Sequence, residues 1–373
     1  MVPVLPKISV LIPVYRESDQ LEPLLNALLS DPYENKEVFV VIDEATDQSL
    51  QTIDKFSSTV NFSCNGARKG KANVLNEVVN KTEGEILLFL DADILIDSDS
   101  RGFLQVIYEE MIEADMVEIK KDVINDSFLA RIARYDYLGF NFTNWFLSSR
   151  TNKCLCLNGA AFAIDKDKFL SLGGFRRVVS EDLDIGIRTF FEDINFKFIK
   201  EISIRTKAPS SWSEWFKQRR RWGIGGAMWF KDYFRYIVRI LSIYPKILIT
   251  SLLFLFPSLP FLLFNLVTPE ELYVKAIYMV LLILSTRMST LLLPTAFTST
   301  ALYMIKNFIF LIFSFGLTSS VFYLIAKKLG FSFNLLEFAF FYIVYSPIWF
   351  LIIISSIIRV YTKGDDPQID WII

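Results

Sequence analysis

The stretch ILLFLDAD, residues 86–93, decides the fold of this chain. Its five apolar residues, Ile86–Leu90, predict a short strand buried on both faces, as in a parallel sheet that is covered by helices. The run stops at Asp91, and Asp93 follows two residues later. Ligands of parallel sheets bind beyond the carboxyl ends of the strands, so these two carboxylates are candidates for a binding site.

Two segments upstream have the same form. Ile8–Val14 and Val38–Ile42 are apolar and followed by polar residues, and Leu21–Leu29 between them has helical spacing. Strands that alternate with helices predict an α/β fold with a parallel sheet. The predicted strand ends bring the following polar residues to one edge of that sheet: Tyr15, Glu17, Asp43, Asp91 and Asp93.

The composition indicates a membrane protein whose chemistry rests on carboxylates. Apolar residues make up 52% of the chain, and Phe occurs 35 times, which exceeds the usage of soluble proteins. The formal net charge of −2 gives no general attraction to nucleic acid. Because the chain contains no His, acid–base and metal chemistry must fall to Asp and Glu.

The cysteines and the N-terminus indicate a reducing, cytoplasmic environment for the first domain. Cys64, Cys154 and Cys156 form no disulfide framework. A metal site or a disulfide at the last two is the alternative, although two thiols alone do not complete a tetrahedral site. The N-terminal residues lack the charged and apolar regions of a signal peptide, so we expect the first domain on the cytoplasmic side.

The second half of the chain is predicted to contact and cross a membrane. Between Ser211 and Leu241, Trp and Tyr alternate with Arg and Lys, which predicts amphipathic helices in the headgroup layer. A surface helix on a soluble core is the alternative. Four later segments approach the roughly 20 residues that cross a bilayer: Lys246–Leu266, Val274–Leu293, Ala301–Ala326 and Leu336–Ile358.

Charged residues leave the number of spans open. Four spans return the C-terminus to the cytoplasmic side, but Lys327 and Lys328 would then lie outside, and three spans remain the alternative. Lys306 lies near the start of the third span. Arg287 lies inside the second, where a charge is costly, so we expect it to contact a lipid phosphate or a carboxylate, unless its segment is a pair of short interfacial helices.

The predicted organisation is therefore a chain of four parts. They are a cytoplasmic α/β domain at 1–210, interfacial helices at 211–243, a transmembrane region of about four helices at 244–358 and a cytoplasmic tail at 359–373.

Seven segments resemble glycosyltransferase family 2, and they follow one another in the order found in that family: SVLIPVYRE, VIDEATDQS, RKGKANVLN, LLFLDADI, NGAAFAIDKDKFLSLGGF, SEDLDIGIR and QRRRW. Over about residues 8–225 the chain is similar to the membrane-embedded branch of the family, which includes cellulose, chitin and hyaluronan synthases and ceramide glucosyltransferase. This resemblance implies a GT-A-type, Rossmann-like domain followed by a multi-span helical domain.

The resemblance also implies a nucleotide-sugar donor, with UDP favoured by family analogy and GDP left open. The residues implied in donor binding are Pro13, Tyr15, Glu17, Asp43, Lys71, Asp91, Asp93, Gln218 and Arg221. Asn73 would join Lys71 in the nucleotide pocket, unless both form a solvated turn and helix start. Asp91 and Asp93 match the DXD element, which implies a Mg²⁺ or Mn²⁺ ion, since such ions prefer oxygen ligands.

The remaining motifs imply the catalytic and acceptor residues. Displacement at an anomeric carbon needs a base within hydrogen-bond reach of the acceptor hydroxyl, and the resemblance assigns that role to Asp182, with Glu181 in support. Asp184 is interpreted as structural. The residues implied at the acceptor are Trp222, Gly159 and Asn158. Arg219 and Arg220 are expected at lipid phosphates, and Gly173–Gly174 is predicted to form a tight turn.

The function predicted from these residues is that of a metal-dependent, inverting glycosyltransferase acting on a lipid or lipid-linked glycan. Four spans enclose little space in a monomer, which favours the addition of one or a few sugars. The alternatives are a processive polysaccharide synthase, transfer to polyprenyl phosphate, and a catalytically inactive membrane scaffold or transport component.

Overall fold

The computed structural model describes residues 5–97, 102–267, 279–280 and 299–363. The chain divides into two compact units, Met1–Ser251 with Trp349–Ile373 and, separately, Leu252–Ile348. The predicted span Val274–Leu293 lies almost wholly outside the described residues, as does Arg287. Most of the predicted tail does so as well.

The described part of the first unit contains an eight-stranded sheet in the order β3-β2-β1-β4-β7-β6-β8-β5. Its strands are β1 (Ile8–Tyr15), β2 (Lys36–Asp43), β3 (Asn61–Asn65), β4 (Ile86–Leu90), β5 (Ile94–Asp97), β6 (Met116–Val123), β7 (Ala161–Asp165) and β8 (Phe196–Thr206). The first four strands of the order are parallel, β7 is antiparallel to its neighbours, and β6 and β8 are again parallel.

Helices cover this sheet and continue into the second unit. They are α1 (Leu21–Leu29), α2 (Asp47–Phe56), α3 (Lys71–Val79), α4 (Phe103–Met111), α5 (Phe128–Thr151), α6 (Lys166–Ser171), α7 (Glu181–Phe191), α8 (Trp212–Ile243), α9 (Pro245–Leu255), α10 (Leu259–Val267), α11 (Ser299–Leu329), α12 (Leu335–Phe340) and α13 (Ser346–Lys363), with a π-helical turn at Phe341–Tyr345.

The sheet separates two apolar cores. On β4, Leu88 and Leu90 belong to one buried cluster, whereas Leu87 and Phe89 belong to the other. A strand that is apolar at every position is what a sheet covered on both faces requires. The prediction of an α/β fold from Ile86–Leu90 is therefore confirmed.

The strand register brings the predicted polar residues to the same edge. Tyr15 pairs with Asp43 across β1 and β2, and Asp43 pairs with Asn65 across β2 and β3. On the other side, Leu90 at the end of β4 pairs with Ala161 at the start of the antiparallel strand β7. The residues just before β7 therefore meet the residues just after β4.

Helix α8 is one helix of 32 residues, where the sequence predicted several. Ser211 caps its N-terminus by accepting a hydrogen bond from Glu214 N. Helix α13 approaches it closely, since a Cβ added at Gly223 would lie 2.6 Å from Ser356 Oγ. Small residues allow such an approach because they leave the backbone uncovered.

Two described stretches are long and apolar enough to cross a membrane, Met304–Leu329 and Leu335–Thr362. A third span arises if Trp212–Ile243 and Leu248–Leu255, which are bent by 114°, count as one. The predicted span Lys246–Leu266 is divided between α9 and α10. Pro257 explains the break, because its ring prevents helical hydrogen bonding and disfavours helix at the preceding residue.

Candidate active site

Asp182 lies in the first turn of α7 and is held by two backbone N–H groups. Leu183 N donates to Asp182 Oδ1 at 2.8 Å, and Gly159 N donates to Oδ2 at 3.2 Å. A Cβ at Gly159 would lie 2.8 Å from Asp182 Cβ, so this approach requires glycine. Burial, and then the neighbouring charge of Glu181, raise the pKa of Asp182 to about 6. Such a carboxylate is suited to accept a proton near neutral pH.

Lys71 links the carboxylates that follow β4 with those that begin α7. Its Nζ lies 2.7 Å from Asp91 Oδ1 and 3.2 Å from Glu181 Oε1. Burial by itself lowers the pKa of Lys71, but the charges of Asp91 and Glu181 outweigh burial and raise it. Lys71 therefore stays charged and neutralises part of this acidic site.

Asp91 and Asp93 are a chemically suitable pair for a divalent cation. Partial desolvation, and then the charge of Asp91, raise the pKa of Asp93, although this side chain still reaches solvent. A cation would relieve that repulsion. The described residues contain no group of three or more potential metal ligands, but Mg²⁺ is commonly held by one or two carboxylates together with substrate phosphates. The two residues fit such an ion.

The structure brings six of the predicted site residues into one cleft. Apolar residues of both cores also line this cleft. The six site residues are Pro13, Lys71, Asp91, Gly159, Glu181 and Asp182. The cleft lies where β1 and β4 end and α3 and α7 begin. The predicted edge of the sheet and the start of α7 thus form one acidic site, in which the half-buried Lys71 lies between carboxylates.

A second hollow lies beside the cleft, at the ends of β1, β2 and β3. It is lined by residues that include Arg16, Glu44 and Cys64. Tyr15 OH donates to Glu44 Oε2 at 3.1 Å, and the Arg68 guanidinium lies 4.2 Å from the centre of the exposed Tyr15 ring. An exposed aromatic face beside a guanidinium is suited to stack against a planar ring.

Two residues at the edge of this hollow have strained backbone angles, and a side-chain hydrogen bond holds the loop beside them. Arg16 and Glu44 both have positive φ angles, 64° and 56°, which non-glycine residues seldom adopt and which concentrate at functional sites. Glu17 accepts a hydrogen bond of 2.5 Å from Thr46 Oγ1. Glu17 therefore helps to fix the loop that precedes α2.

Asp43, predicted to contact the donor, shapes the loop before α3. Its Oδ1 accepts from Asn65 Nδ2 at 2.8 Å, and its Oδ2 accepts from the N–H groups of Lys69 and Gly70, both at 3.0 Å. Asn73 donates to the Lys69 carbonyl at 2.8 Å. These contacts set the position from which α3 presents Lys71.

One face of α8 runs along α7 towards the cleft. Tyr233 OH donates to Asp184 Oδ1 at 2.6 Å, and Trp229 Nε1 donates to the Leu183 carbonyl at 3.0 Å. Further along, Gly225 leaves no room for a Cβ beside Ser180 Oγ, at the N-terminal end of α7. Because residues four apart share a helix face, Tyr233, Trp229 and Gly225 lie on the same side of α8, which faces α7.

The QRRRW segment continues this face past the start of α7. Arg221 lies one turn before Gly225 and is exposed. Gln218 lies one turn earlier, and its Oε1 atom is buried without a hydrogen-bond partner in the described part of the chain. An unsatisfied buried acceptor has a cost unless another group reaches it, so this end of α8 is suited to receive a polar ligand.

Two further expectations concern α7 and the turn before it. Asp184 is buried, forms an ion pair with Arg188 at 2.8 Å and accepts from Tyr233, as its structural interpretation requires. Gly173 and Gly174 have φ angles of +78° and +70°, which confirms the predicted tight turn.

The expectation that Arg219 meets lipid phosphates is wrong. The side chain is 1% exposed, and its Nη1 lies 2.7 Å from Asp136 Oδ2 on α5. Its guanidinium also lies 4.3 Å from the centre of the Trp222 ring. The signal in the sequence was Asp136, an acidic residue within a largely apolar helix that needed a partner.

Asn158, in the loop before β7, is held by a hydrogen bond to Glu118, a buried acid that the sequence analysis did not identify. Glu118 on β6 is 1% exposed, and its carboxylate accepts from Asn144 Nδ2 at 2.8 Å and from the backbone of Asn158. Burial raises the pKa of Glu118 well above its usual range. Asn158 Oδ1 accepts from Ala160 N at 3.3 Å. The lone acid in the apolar half of β6 was the available signal.

Comparison with known proteins relates the first part of the chain to one family and to several of its relatives. The sequence profile of Glycosyl transferase family 2 matches residues 9–170. A probable glycosyltransferase, YdaM, from Bacillus subtilis (strain 168) is 26% identical in an alignment of 238 positions that covers 59% of this chain and 55% of that protein. A poly-beta-1,6-N-acetyl-D-glucosamine synthase from Staphylococcus epidermidis is 24% identical over 223 residues, 59% of this chain and 54% of that protein. The chain spans little more than half the length of these relatives.

Solved structures with similarity to this chain include two proteins in complex with nucleotide-sugars. Mannosyltransferase PcManGT from Pyrobaculum calidifontis, in complex with GDP-Man and Mn²⁺, has a TM-score of 0.49 and 16% identity, covering 82% of this chain and 88% of that one. S. aureus TarS 1–349, in complex with UDP-GlcNAc, has a TM-score of 0.45 and 18% identity, covering 63% and 73%.

The family match agrees with the resemblance of the segments that lie between residues 9 and 170, whereas SEDLDIGIR and QRRRW lie beyond it. The match includes strand β4 with Asp91 and Asp93, which follow it, and the loop with Asn158 and Gly159. The mixed, helix-covered sheet described above is an α/β fold, as the resemblance implies.

Proposed function

We propose that this chain, which carries a glycosyltransferase family 2 domain, transfers a sugar from a nucleotide-diphosphate sugar to a hydroxyl group of a lipid or lipid-linked glycan at a membrane, with inversion at the anomeric carbon. The single observation that carries the proposal is the cleft in which Asp182 faces Gly159 N–H, beside the Lys71 bridge between Asp91 and Glu181.

The proposed reaction is one displacement. The acceptor oxygen bonds to the anomeric carbon while the bond from that carbon to the diphosphate oxygen breaks, and its electron pair leaves with the nucleoside diphosphate. Asp182 removes the proton of the acceptor hydroxyl. Its pKa of about 6 leaves it ionised at neutral pH, yet makes it more basic than an ordinary aspartate.

The donor is proposed to extend from the hollow at Tyr15 to the cleft at Lys71. Pro13, Glu17 and Asp43 surround the base and ribose end, with UDP favoured over GDP by family analogy. Gln218 and Arg221, on the α8 face that leads into the cleft, are proposed at the diphosphate, where a guanidinium binds two oxygens at once. A Mg²⁺ or Mn²⁺ ion held by Asp93 and Asp91 would offset the charge that develops on the leaving diphosphate.

The acceptor is proposed to enter beside Trp222, Asn158 and Gly159. Trp222 lies on α8, whose later part exposes large apolar and aromatic side chains: Phe234, Tyr236, Val238, Leu241 and Ile243. An amphipathic helix of this kind lies in the headgroup layer. We therefore propose that the acceptor comes from the membrane, that the chain spans it several times, and that the cleft faces the cytoplasm.

A second candidate function is processive synthesis of a polysaccharide. The observation that favours it is the similarity to poly-beta-1,6-N-acetyl-D-glucosamine synthase over 59% of this chain. The same cleft would then act repeatedly, with the growing chain as its acceptor. The size of the product separates the two functions, because a single mass increment on a lipid indicates glycolipid synthesis and a ladder of long chains indicates polymerisation.

The proposal is tested by screening nucleotide release by detergent-purified protein over UDP- and GDP-sugars, with Mg²⁺ or Mn²⁺, and with and without a lipid extract. We expect release that depends on metal and lipid and that labels a lipid product. Label in a long water-soluble chain would favour the polysaccharide synthase. Absence of nucleotide release from every donor would contradict glycosyl transfer of either kind.

A further inference from the structure

We propose that Arg219 is a positioning residue that fixes the indole of Trp222 and couples it to the apolar C-terminal helix α13. This inference rests on the proposed role of Trp222 at the acceptor. It assigns a function to the first arginine of the QRRRW segment, and it makes acceptor binding sensitive to a helix that lies outside the α/β domain.

The anchor of Arg219 is an ion pair on α5. Arg219 Nη1 lies 2.7 Å from Asp136 Oδ2, and their side chains are only 1% and 12% exposed. Burial raises the pKa of Asp136, and the charge of Arg219 opposes that rise. Because water cannot replace either partner without opening the packing, the pair holds the guanidinium at a fixed place between α5 and α8.

Three tryptophans surround the guanidinium that this ion pair fixes. Its central carbon lies 4.3 Å from the centre of the Trp222 ring, 5.1 Å from that of Trp349 and 5.9 Å from that of Trp215. Trp222 also makes an edge contact with Tyr137, which follows Asp136 on α5, at 6.4 Å between ring centres. The Trp222 indole is thus held from α5 and from its own helix.

Trp349 brings α13 into the same cluster. It belongs to the compact unit that contains the α/β domain and α8. A few residues further along, Ser356 packs at Gly223, and Val360 packs with Ile224 and Ala227. Helix α13 is therefore seated along α8, with Trp349 at the level of Arg219. A shift of α13 would change the Arg219 contact and, through it, the orientation of Trp222.

The geometry requires arginine rather than any cation. A guanidinium is planar, so it stacks on indole faces while its N–H groups reach a carboxylate in the same plane. Lysine has a compact charge that can pair with Asp136 but cannot stack in this way. Arg219→Lys therefore keeps the ion pair and removes the stack, and it is the most informative substitution at this position.

The matched control is the next residue along the helix. Arg220 is exposed, so Arg220→Lys makes the same chemical change outside the tryptophan cluster. Trp349→Leu removes the ring contributed by α13, and Trp349→Phe restores an aromatic face. Both Trp349 variants leave the Arg219–Asp136 pair in place, so they keep the proposal testable if Arg219→Lys folds poorly.

The experiment measures two rates for each variant in detergent: sugar transfer at varied acceptor concentration, and hydrolysis of the donor without acceptor. For Arg219→Lys and Trp349→Leu we expect the acceptor KM to rise about tenfold, with donor hydrolysis unchanged. Trp349→Phe should recover most of the loss, and Arg220→Lys should match wild type. An unchanged acceptor KM, or an equal loss of transfer and hydrolysis, would overturn the proposal.

A second readout does not depend on the enzyme activity. Near-ultraviolet circular dichroism reports tryptophans held in fixed orientations. Arg219→Lys should reduce the tryptophan bands, and it should have little further effect in a Trp222→Phe background. If wild type transfers no sugar but these spectra behave as expected, the proposed function fails while the packing role stands. Unchanged spectra in Arg219→Lys would contradict the packing role itself.

Discussion

Asp182 is fixed by hydrogen bonds, and its pKa lies close to neutral pH. Two backbone N–H groups hold its oxygens, while burial and Glu181 raise its pKa to about 6. Lys71 balances the neighbouring acids without contacting Asp182 through a described hydrogen bond. At the scale of single residues, Asp182 can therefore accept a proton, whereas Asp91 and Glu181 are paired with Lys71.

The pH dependence of transfer follows from this pKa. The base form of Asp182 is present above about pH 6 and is lost as the pH falls through that value. We expect kcat/KM to be constant near neutral pH and to fall about tenfold per pH unit well below 6. The measurement is initial transfer rate against pH, with protein stability checked at each point. An acid limb centred near pH 4 would contradict the raised pKa of Asp182.

The positions of some candidate site residues could be predicted from the sequence, but the partners of others could not. Asp91 and Asp93 follow an apolar strand, so short-range pattern was enough to place them at a sheet edge. The partners of Asp43 were less accessible, because they are backbone N–H groups whose positions depend on the loop before α3. The burial of Arg219 depends on Asp136 and Trp349, which are distant in sequence and meet it only after α5, α8 and α13 have packed.

Helix α7 carries Asp182 and is set by a close contact with the segment before Asn158. A Cβ at Gly186 would lie 2.8 Å from Leu157 N and 3.3 Å from the Leu155 carbonyl. Because these are backbone atoms, α7 or the segment would have to move. Either shift would change the alignment of Asp182 with Gly159 N–H.

The substitution Gly186→Ala tests this packing. Ala is favoured over Gly in a helix by about 1 kcal/mol, but overpacking costs about 1–3 kcal/mol, so we expect a lower melting temperature and a reduced transfer rate. Gly226→Ala is the control, since no atom lies within 4 Å of its added Cβ, and it should be neutral or stabilising. Gly186→Ala with wild-type stability and activity would show that α7 is not held by this contact.

For the apolar helices, composition predicts the position of long apolar stretches but not where a helix breaks or continues. The apolar stretches in α11 and α12–α13 were predicted close to their observed positions, because long apolar runs suffice to identify them. The division between α9 and α10 was signalled by Pro257 and was missed. The single helix α8 could not be inferred from alternating aromatic and basic residues alone.

At the scale of the whole molecule, an α/β domain is joined to helices whose apolar side chains remain exposed. Met304, Phe308 and Phe313 on α11 are each more than 60% exposed, as are Leu336 and Leu351. Exposed apolar surfaces of this extent are stable in lipid and associate in water. The chain is therefore expected to behave as an integral membrane protein.

Extraction of membranes tests that expectation. Peripheral proteins are released by alkaline carbonate, whereas a chain with membrane-crossing helices should remain in the pellet until detergent is added. The measurement is the distribution of full-length protein between supernatant and pellet after each wash. Complete release by carbonate would contradict transmembrane insertion, although it would leave the α/β domain and its cleft unaffected.

The most direct test of the central claim compares wild type with Asp182→Asn in transfer from a labelled nucleotide-sugar to membrane lipid. The substitution preserves size and removes the proton acceptor, whose contribution is on the order of 10²–10⁴-fold. We predict that labelled lipid product falls by about that factor while nucleotide binding and melting temperature remain near wild type. Product formation by Asp182→Asn at the wild-type rate would contradict the assignment of this cleft as the site of sugar transfer.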